Sequence, residues 1–85
     1  MLIKISPRFE KKYQRLAETI KKEAKEKEFL FRKNPFNPQL KTHKLSGKNK
    51  ECWAFWITYS YRIKFIFLSS GEVIFLDVGT HDEVY

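Results

Sequence analysis

The chain has 85 residues, a length that fits a single domain with one modest hydrophobic core. Hydrophobic residues make up 42% and charged residues 32% of the sequence, which is typical of a globular protein and excludes a disordered one. The 17 lysines and arginines exceed the 10 acidic residues, and the resulting net charge of +7 favours an acidic or polyanionic partner.

The cysteine content and the hydropathy of the chain indicate its cellular compartment and exclude some kinds of site. Cys52 is the single cysteine, so an internal disulfide and a cysteine-rich zinc site are excluded. No apolar run approaches the roughly 20 residues needed to cross a bilayer. Lys4 interrupts the N-terminal apolar stretch that a signal peptide would need. We therefore expect a soluble protein of the cytoplasm.

The first part of the chain predicts a strand followed by two helices. Alternation over Leu2–Ile5 indicates a short strand, and Ser6-Pro7 is typical of a helix N-cap and first helical position. Apolar residues then recur at spacings of three and four until the Asn34-Pro35 pair ends the pattern. One helix of that length would measure about 40 Å at 1.5 Å per residue, which is more than so small a domain can cover. We therefore expect a break near residues 17–19.

The second part predicts a loop and three strands. Residues 34–50 hold two prolines, a glycine and several lysines, which indicates a loop. The segments that follow are rich in aromatic and β-branched residues and are separated by turn residues; they are Cys52–Ile57, Tyr61–Leu68 and Glu72–Val78. Because the helices precede these strands, the fold class is predicted to be α+β, a helical hairpin packed on a small, mainly antiparallel sheet.

The two turns between these strands predict which residues share a face. A three-residue loop over Thr58–Ser60 places the apolar rows of the first two strands on one face, because a one-residue slip would expose a whole row to water. A Ser70-Gly71 turn gives the second hairpin its register. The predicted opposing pairs are Phe67 with Ile74, Phe65 with Leu76, Ile63 with Val78, and Lys64 with Asp77.

The other face of the predicted sheet gathers polar and aromatic side chains. It carries Trp56, Arg62, Lys64, Asp77 and Gly79, and also His81 if the alternation of the last strand continues. An aromatic ring, two cations, a carboxylate and an imidazole therefore converge where the core does not need them. This face is the predicted functional surface.

Four side chains carry the chemistry that such a face could perform. A guanidinium such as that of Arg62 suits a phosphate, although an ordinary surface ion pair is the more common role of such an arginine. His81 and His43 are the only histidines, and imidazole suits proton transfer near neutral pH, whereas a turn or core hydrogen bond is the simpler role. Tyr85 could stack on a base, donate a proton or merely pack.

Further residues are candidates for nucleic-acid contact. They are the loop lysines Lys41, Lys44, Lys48 and Lys50, together with Trp56 and Lys64 on the polar face. Lysines of this kind form a phosphate track in some proteins and a merely solvated loop in others. The tryptophan favours base stacking only if its ring is exposed.

Four strings of the sequence resemble the RelE/ParE superfamily of toxins from toxin–antitoxin systems, and they span essentially the whole chain. The strings are Asn34-Pro35-Phe36, residues 40–47 (LKTHKLSG), Tyr61-Arg62-Ile63, and residues 78–85 (VGTHDEVY). The predicted order of strand, paired helices, Asn-Pro loop and three strands also resembles this family. The histidine-containing strings are similar to those of its YafQ-like branch.

The resemblance implies a fold and a function. It implies a RelE-like toxin that cleaves mRNA, usually in the decoding site of the ribosome, without a metal or other cofactor, and that an acidic antitoxin silences. In such enzymes the 2′-hydroxyl attacks the adjacent phosphate, a base takes its proton, and an acid protonates the departing 5′-oxygen. Cations stabilise the charged transition state.

The resemblance also implies roles for four residues. Arg62 matches the arginine that contacts the scissile phosphate, and His81 matches the histidine that follows Gly-Thr and serves in acid–base chemistry. Tyr85 matches the C-terminal aromatic residue that stacks on or orients the substrate. His43 matches the loop histidine of the YafQ-like branch.

The identity of the general base stays open at this point. RelE carries two lysines on the strand that here reads Ala54–Trp56, and neither lysine is present. Either His81 and His43 divide the proton transfers, or Glu83 or Asp82 is the base, or the protein is a weakly active or inactive member.

The resemblance leaves alternative functions as well. The ParE branch has the same fold and inhibits DNA gyrase without the catalytic set, so Arg62, His81 and Tyr85 favour an endoribonuclease over a gyrase inhibitor. A catalytically weak module that binds RNA or the ribosome is a third alternative.

Overall fold

The computed structural model describes residues 1–69 and 71–85 of the chain. The strands are β1 (Leu2–Ile5), β2 (His43–Lys44), β3 (Trp53–Trp56), β4 (Tyr61–Ser69) and β5 (Glu72–Thr80). The helices are α1 (Pro7–Gln14), α2 (Glu18–Lys33) and α3 (His81–Val84), with single 3₁₀ turns at Pro38–Leu40 and Gly47–Asn49. The strands form one sheet in the order β1-β5-β4-β3-β2, in which β1 is parallel to β5 and the other pairs are antiparallel. The predicted α+β class is confirmed.

The predicted pair of helices is confirmed, including the break between them. The Ser6 hydroxyl caps α1 by accepting a hydrogen bond from the Phe9 amide at 3.0 Å. The first helix ends at Gln14, and Ala17 has extended backbone angles before α2 begins. The break therefore lies at residues 15–17, slightly earlier than the prediction. The second helix stops at Lys33, in front of the Asn-Pro pair that was expected to end it.

An aromatic cluster centred on Phe31 joins α2 to the sheet. The Phe31 ring is fully buried, and its centroid lies 4.8 Å from that of Phe55, 5.0 Å from Phe65 and 5.6 Å from Phe75. These three partners come from β3, β4 and β5, so one helical side chain contacts all three central strands. Phe9 extends the cluster to α1, with its ring 5.4 Å from that of Phe75.

The register of the first hairpin is confirmed, and that of the second is confirmed in part. The observed pairs include Trp53 with Phe65, Phe55 with Ile63, Ile63 with Val78, and Lys64 with Asp77. The predicted pairs of Phe65 with Leu76 and Phe67 with Ile74 are wrong, because an irregularity after Lys64 pairs Phe65 with Phe75 and Phe67 with Val73. The extra residue allows Val78, Phe75 and Val73 all to be buried. Ser70 of the predicted turn lies outside the described residues.

Two elements were not expected from the sequence. Residues His43 and Lys44 pair with Ala54 and Trp53 as the short edge strand β2, inside the segment predicted to be a loop. The alternation of the last strand ends at Thr80, and His81 begins a helix instead of extending the strand. Among the described residues, none of the helices has both the length and the apolar character needed to cross a membrane.

Replacing the central ring should cost much of the stability of the fold. We expect Phe31→Ala to lower the free energy of unfolding by about 3–5 kcal/mol, because it leaves a cavity among three aromatic neighbours. Phe29→Ala on the same helix is the matched control, since the Phe29 side chain is 59% exposed, and it should cost less than about 1 kcal/mol. Denaturant titration of both variants measures the difference, and equal losses would contradict the packing described.

Candidate active site

The short helix α3 is held on the sheet by a cap that requires a glycine beneath it. The Thr80 amide donates a hydrogen bond to Glu83 Oε1 at 2.8 Å, and the buried Val84 anchors the other end. A Cβ atom at Gly79 would lie only 2.6 Å from Glu83 Oε1. Gly79 therefore allows the close approach of the glutamate, and it lies within β5.

Tyr85, directly after α3, brings the two histidines together. Its ring centroid lies 4.2 Å from that of His81 and 5.6 Å from that of His43. Its hydroxyl lies 2.6 Å from His43 Nε2, and His43 Nδ1 in turn lies 2.9 Å from the main-chain oxygen of Lys41. The loop histidine and the C-terminal histidine, which are distant in the sequence, thus share one aromatic neighbour.

Arg62 lies beside this group but is buried, with only 6% of its surface exposed. Its guanidinium stacks on the Trp56 ring at 4.1 Å, and Nη1 donates hydrogen bonds to the main-chain oxygens of Thr58 at 2.9 Å and Tyr59 at 2.6 Å. The surface ion pair considered from the sequence is therefore not what the structure shows. The arginine therefore fixes the β3–β4 loop, while its buried Nε has no partner in the part of the chain that the structure describes.

The pKa of the Tyr85 phenol is raised. Partial burial of the side chain is the main cause, and the nearby charge of Arg62 acts in the opposite direction. The phenol is therefore a hydrogen-bond donor at neutral pH.

Glu83 and Asp82, the two carboxylates considered as general bases, are less well placed for that role than the histidines. Hydrogen bonds from Thr80 lower the pKa of Glu83, which therefore binds a proton less readily than an ordinary glutamate does. Its carboxylate is also engaged in the cap of α3. Asp82 is fully exposed, and its Oδ1 lies 3.4 Å from His81 Nδ1. Among the described residues, neither carboxylate forms a hydrogen bond with Tyr85.

Two depressions open on either side of this group. One, of about 400 Å³, is lined by Tyr59, Arg62 and His81, among others. The other, of about 350 Å³, is lined by His43, Asn49 and Tyr85, among others. An acid–base candidate therefore lies in each depression.

The predicted nucleic-acid contacts form a wider surface around the site. The loop lysines Lys41, Lys44, Lys48 and Lys50 are all exposed. Lys64 Nζ lies 3.4 Å from Asn49 Oδ1, and both residues line a polar groove of about 800 Å³ that continues to Arg8 and Lys48. Asp77 faces the same groove, but its buried carboxylate is paired with Lys12 Nζ at 2.6 Å.

Two candidate contact residues were missed by the sequence analysis. Tyr59 is 80% exposed, and its ring lies edge-on to Trp56 at 5.6 Å, so it is free to stack on a base, whereas the tryptophan already covers Arg62. An aromatic residue in a polar hairpin loop was the available signal. Asn49 lies between Lys64 and the main-chain oxygen of Tyr85. No sequence pattern indicated this residue.

Solved structures of toxins share this architecture. A YoeB/ParE toxin from Agrobacterium tumefaciens superposes with a TM-score of 0.80 at 19% identity, covering 95% of this chain and 99% of the other. YafQ from E. coli gives 0.76 at 19% identity over 98% and 96% of the two chains. A structure of the intact E. coli RelBE toxin–antitoxin complex gives 0.71 at 20% identity over 93% and 94%. No family model and no curated protein matches the sequence.

This chain has the RelE/ParE toxin fold. The predicted fold is thereby confirmed, including the three consecutive antiparallel strands and the helical pair that precedes them. In this RelE/ParE fold His81, Tyr85 and Arg62 lie where α3 contacts β4 and β5, and His43 reaches Tyr85 from β2. At 19–20% identity, the likeness to these structures is one of fold.

Docking of α3 should depend on acid pH through Glu83. Because the pKa of Glu83 is lowered in the folded protein, its contribution to stability is fully present above the ordinary glutamate pKa of about 4.3 and is lost as the pH falls through the lowered value. The chemical shift of the Thr80 amide proton should titrate in this acid range. Glu83→Gln should abolish that titration, and a titration unchanged in the variant would show that the cap is not formed.

Proposed function

We propose that this protein is the toxin of a type II toxin–antitoxin system and acts in the cytoplasm as a metal-independent endoribonuclease on ribosome-bound mRNA, thereby inhibiting translation. The observation that carries the proposal is the contact of both histidines with Tyr85, next to a buried arginine. Cleavage of RNA through its own 2′-hydroxyl needs one proton acceptor, one proton donor and a cation, and the site offers all three.

His81 is suited to the role of general acid. Its ring is exposed at the depression that Arg62 also lines, and one of its nitrogens has no partner in the part of the chain that the structure describes. That nitrogen is free to approach the departing 5′-oxygen. The guanidinium beside it places positive charge where the phosphoryl oxygens gain negative charge in the transition state.

The surface around the site suits a single-stranded RNA. The loop lysines and Lys64 provide cations for the phosphates, while Tyr59 offers an exposed ring for base stacking. Trp56 supports this ring from the side and stacks on Arg62, so its role is to hold the guanidinium in position. The net charge of +7 favours the polyanionic ribosome as the site of action.

The same charge suits an acidic antitoxin as the partner that silences the enzyme. One structural neighbour is a toxin–antitoxin complex. In this chain several large apolar side chains are exposed on the described surface, namely Met1, Leu2, Ile5, Phe29, Phe36, Phe67 and Leu68. An amphipathic helix or extended arm with acidic residues would cover such apolar side chains and complement the basic surface.

Removal of His81 should abolish RNA cleavage without affecting the fold. We expect His81→Gln to slow single-turnover cleavage of mRNA on purified ribosomes by roughly 10²-fold or more, as the loss of an acid–base group does. Lys25→Gln, on the exposed side of α2 and remote in sequence from the site, is the matched control and should cleave normally. Circular dichroism confirms that both variants are folded.

The outcomes of this test separate the candidate functions. Loss of cleavage and of growth arrest in His81→Gln alone supports the proposal. Growth arrest that persists in His81→Gln at equal protein level, together with inhibited DNA supercoiling, would show a gyrase inhibitor instead. Ribosome binding by the wild-type protein without any cleavage would show a catalytically weak binding module.

The partner proposal predicts a strongly salt-dependent association. The protein should co-purify with the acidic product of a neighbouring open reading frame, and the association rate constant should fall roughly tenfold or more from low to high salt. Surface plasmon resonance at several salt concentrations measures this rate. A rate that does not change with salt, or an operon without an acidic partner, would contradict the proposal.

A further inference from the structure

We infer that His43 is the proton acceptor of the cleavage reaction, that the Tyr85 hydroxyl relays the proton to it, and that the main-chain oxygen of Lys41 selects the base nitrogen. The inference rests on the proposed endoribonuclease function and names the base of the same site. It follows from a chain of two hydrogen bonds that crosses from α3 to the loop before β2.

The two partners of His43 fix its tautomer. A carbonyl oxygen only accepts hydrogen bonds, so the contact of 2.9 Å between His43 Nδ1 and the Lys41 oxygen requires a proton on Nδ1. In the neutral ring Nε2 is then unprotonated and accepts a hydrogen bond. Its partner at 2.6 Å is the Tyr85 hydroxyl, which must be the donor in this bond. The lone pair that a general base needs is therefore on the nitrogen that faces Tyr85.

The Lys41 carbonyl is aimed at His43 by an unusual backbone conformation. Lys41 has a φ of +53°, and it is the only non-glycine residue with positive φ among those the structure describes. Left-handed conformations are costly for residues with a Cβ atom, and they persist where the surrounding structure enforces them. Here the fully buried Leu40 and the hydrogen bond of the Lys41 amide to the Pro38 oxygen, 3.3 Å long, enforce it. Lys41 is thus a positioning residue.

The alternatives for the base are less suited by their contacts. Glu83 is engaged in the cap of α3, and the pKa of its carboxyl is lowered. Asp82 is fully exposed, and its Oδ1 lies 3.4 Å from His81 Nδ1. His81 lines the depression with Arg62, on the side proposed for the leaving group. Among these candidates in the described part of the chain, His43 alone has a proton-accepting nitrogen held by a hydrogen-bond chain.

The proposed step moves two protons toward His43. The 2′-hydroxyl gives its proton to the Tyr85 oxygen while the phenol proton passes to His43 Nε2, which becomes an imidazolium. The 2′-oxygen forms a bond to phosphorus, and the bond from phosphorus to the 5′-oxygen breaks as His81 protonates that oxygen. The products are a 2′,3′-cyclic phosphate and a 5′-hydroxyl, and Tyr85 ends the step neutral.

The tautomer can be measured in the free protein, independently of any activity. A long-range ¹H–¹⁵N NMR spectrum at neutral pH should show His43 Nδ1 protonated and Nε2 as a hydrogen-bond acceptor. Tyr85→Phe should shift the Nε2 resonance by removing its donor. Protonation of Nε2 instead of Nδ1 would overturn the inference, whatever the protein cleaves.

Three variants test the relay in single-turnover cleavage on saturating ribosomes. Tyr85→Phe keeps the ring and removes the hydroxyl, and it should slow cleavage by about 10²-fold. His43→Ala should lose activity and regain part of it on addition of imidazole, which a structural role of His43 would not produce. Undiminished cleavage by Tyr85→Phe, or absence of rescue of His43→Ala, would overturn the relay.

A matched pair of variants tests the positioning role of Lys41. Lys41→Gly and Lys41→Val both remove the charge, but only glycine adopts a positive φ freely. The valine variant should therefore cleave at least tenfold more slowly than the glycine variant and should show a mixed His43 tautomer. Equal rates would overturn this role.

Absence of cleavage by the wild-type protein would overturn the proposed function and the relay with it, whereas wild-type cleavage with a fast Tyr85→Phe variant would overturn the relay alone.

Discussion

The close contact between Gly79 and Glu83 is the constraint on which the site depends. A side chain at Gly79 would occupy the position of the carboxylate that caps α3. Without that cap, the buried Val84 alone would anchor α3 on β4 and β5, and Tyr85 would be held less firmly beside His43 at the end of the helix. A single glycine in a strand, together with the glutamate four residues later, therefore helps to hold the two histidines in one site. The pKa of Glu83 is lowered by the same hydrogen bonds, so the residue stabilises the site as a charged cap.

The buried arginine and the exposed lysines of the protein suit different roles. Arg62 is 6% exposed, and its guanidinium is held between Trp56 and the carbonyls of the β3–β4 loop. A charge fixed in this way needs little reorganisation when a phosphate gains negative charge, which is the condition for electrostatic catalysis. The loop lysines are exposed by comparison, and they suit the weaker, salt-dependent attraction of the polyanion.

Sequence patterns predicted the regular parts of the fold, because those parts follow from periodicity and turn chemistry. The alternation of apolar residues along β3 and β4 predicted the register of the first hairpin, in which Phe55 pairs with Ile63. The Asn34-Pro35 pair correctly predicted the end of α2. The register beyond Lys64 could not be predicted, since a bulge depends on which residues the core accepts rather than on the local sequence.

Helix α3 was missed because four residues carry no periodicity, although Thr80 and Glu83 have the spacing of a capping box. The contact between Tyr85 and His43 joins distant parts of the chain, and no local pattern contains it. The family resemblance placed these residues in one site without indicating that bond.

In the proposed reaction, RNA is cleaved by its own 2′-hydroxyl, and protein side chains move the protons. The ends of mRNA fragments produced on ribosomes by the purified protein test it most directly. The proposed mechanism predicts a 2′,3′-cyclic phosphate, or the 3′-phosphate formed by its hydrolysis, on the upstream fragment, and a 5′-hydroxyl on the downstream fragment. A 3′-hydroxyl together with a 5′-phosphate would mean that water attacked the phosphate, and that result would contradict the roles proposed for His43, Tyr85 and His81.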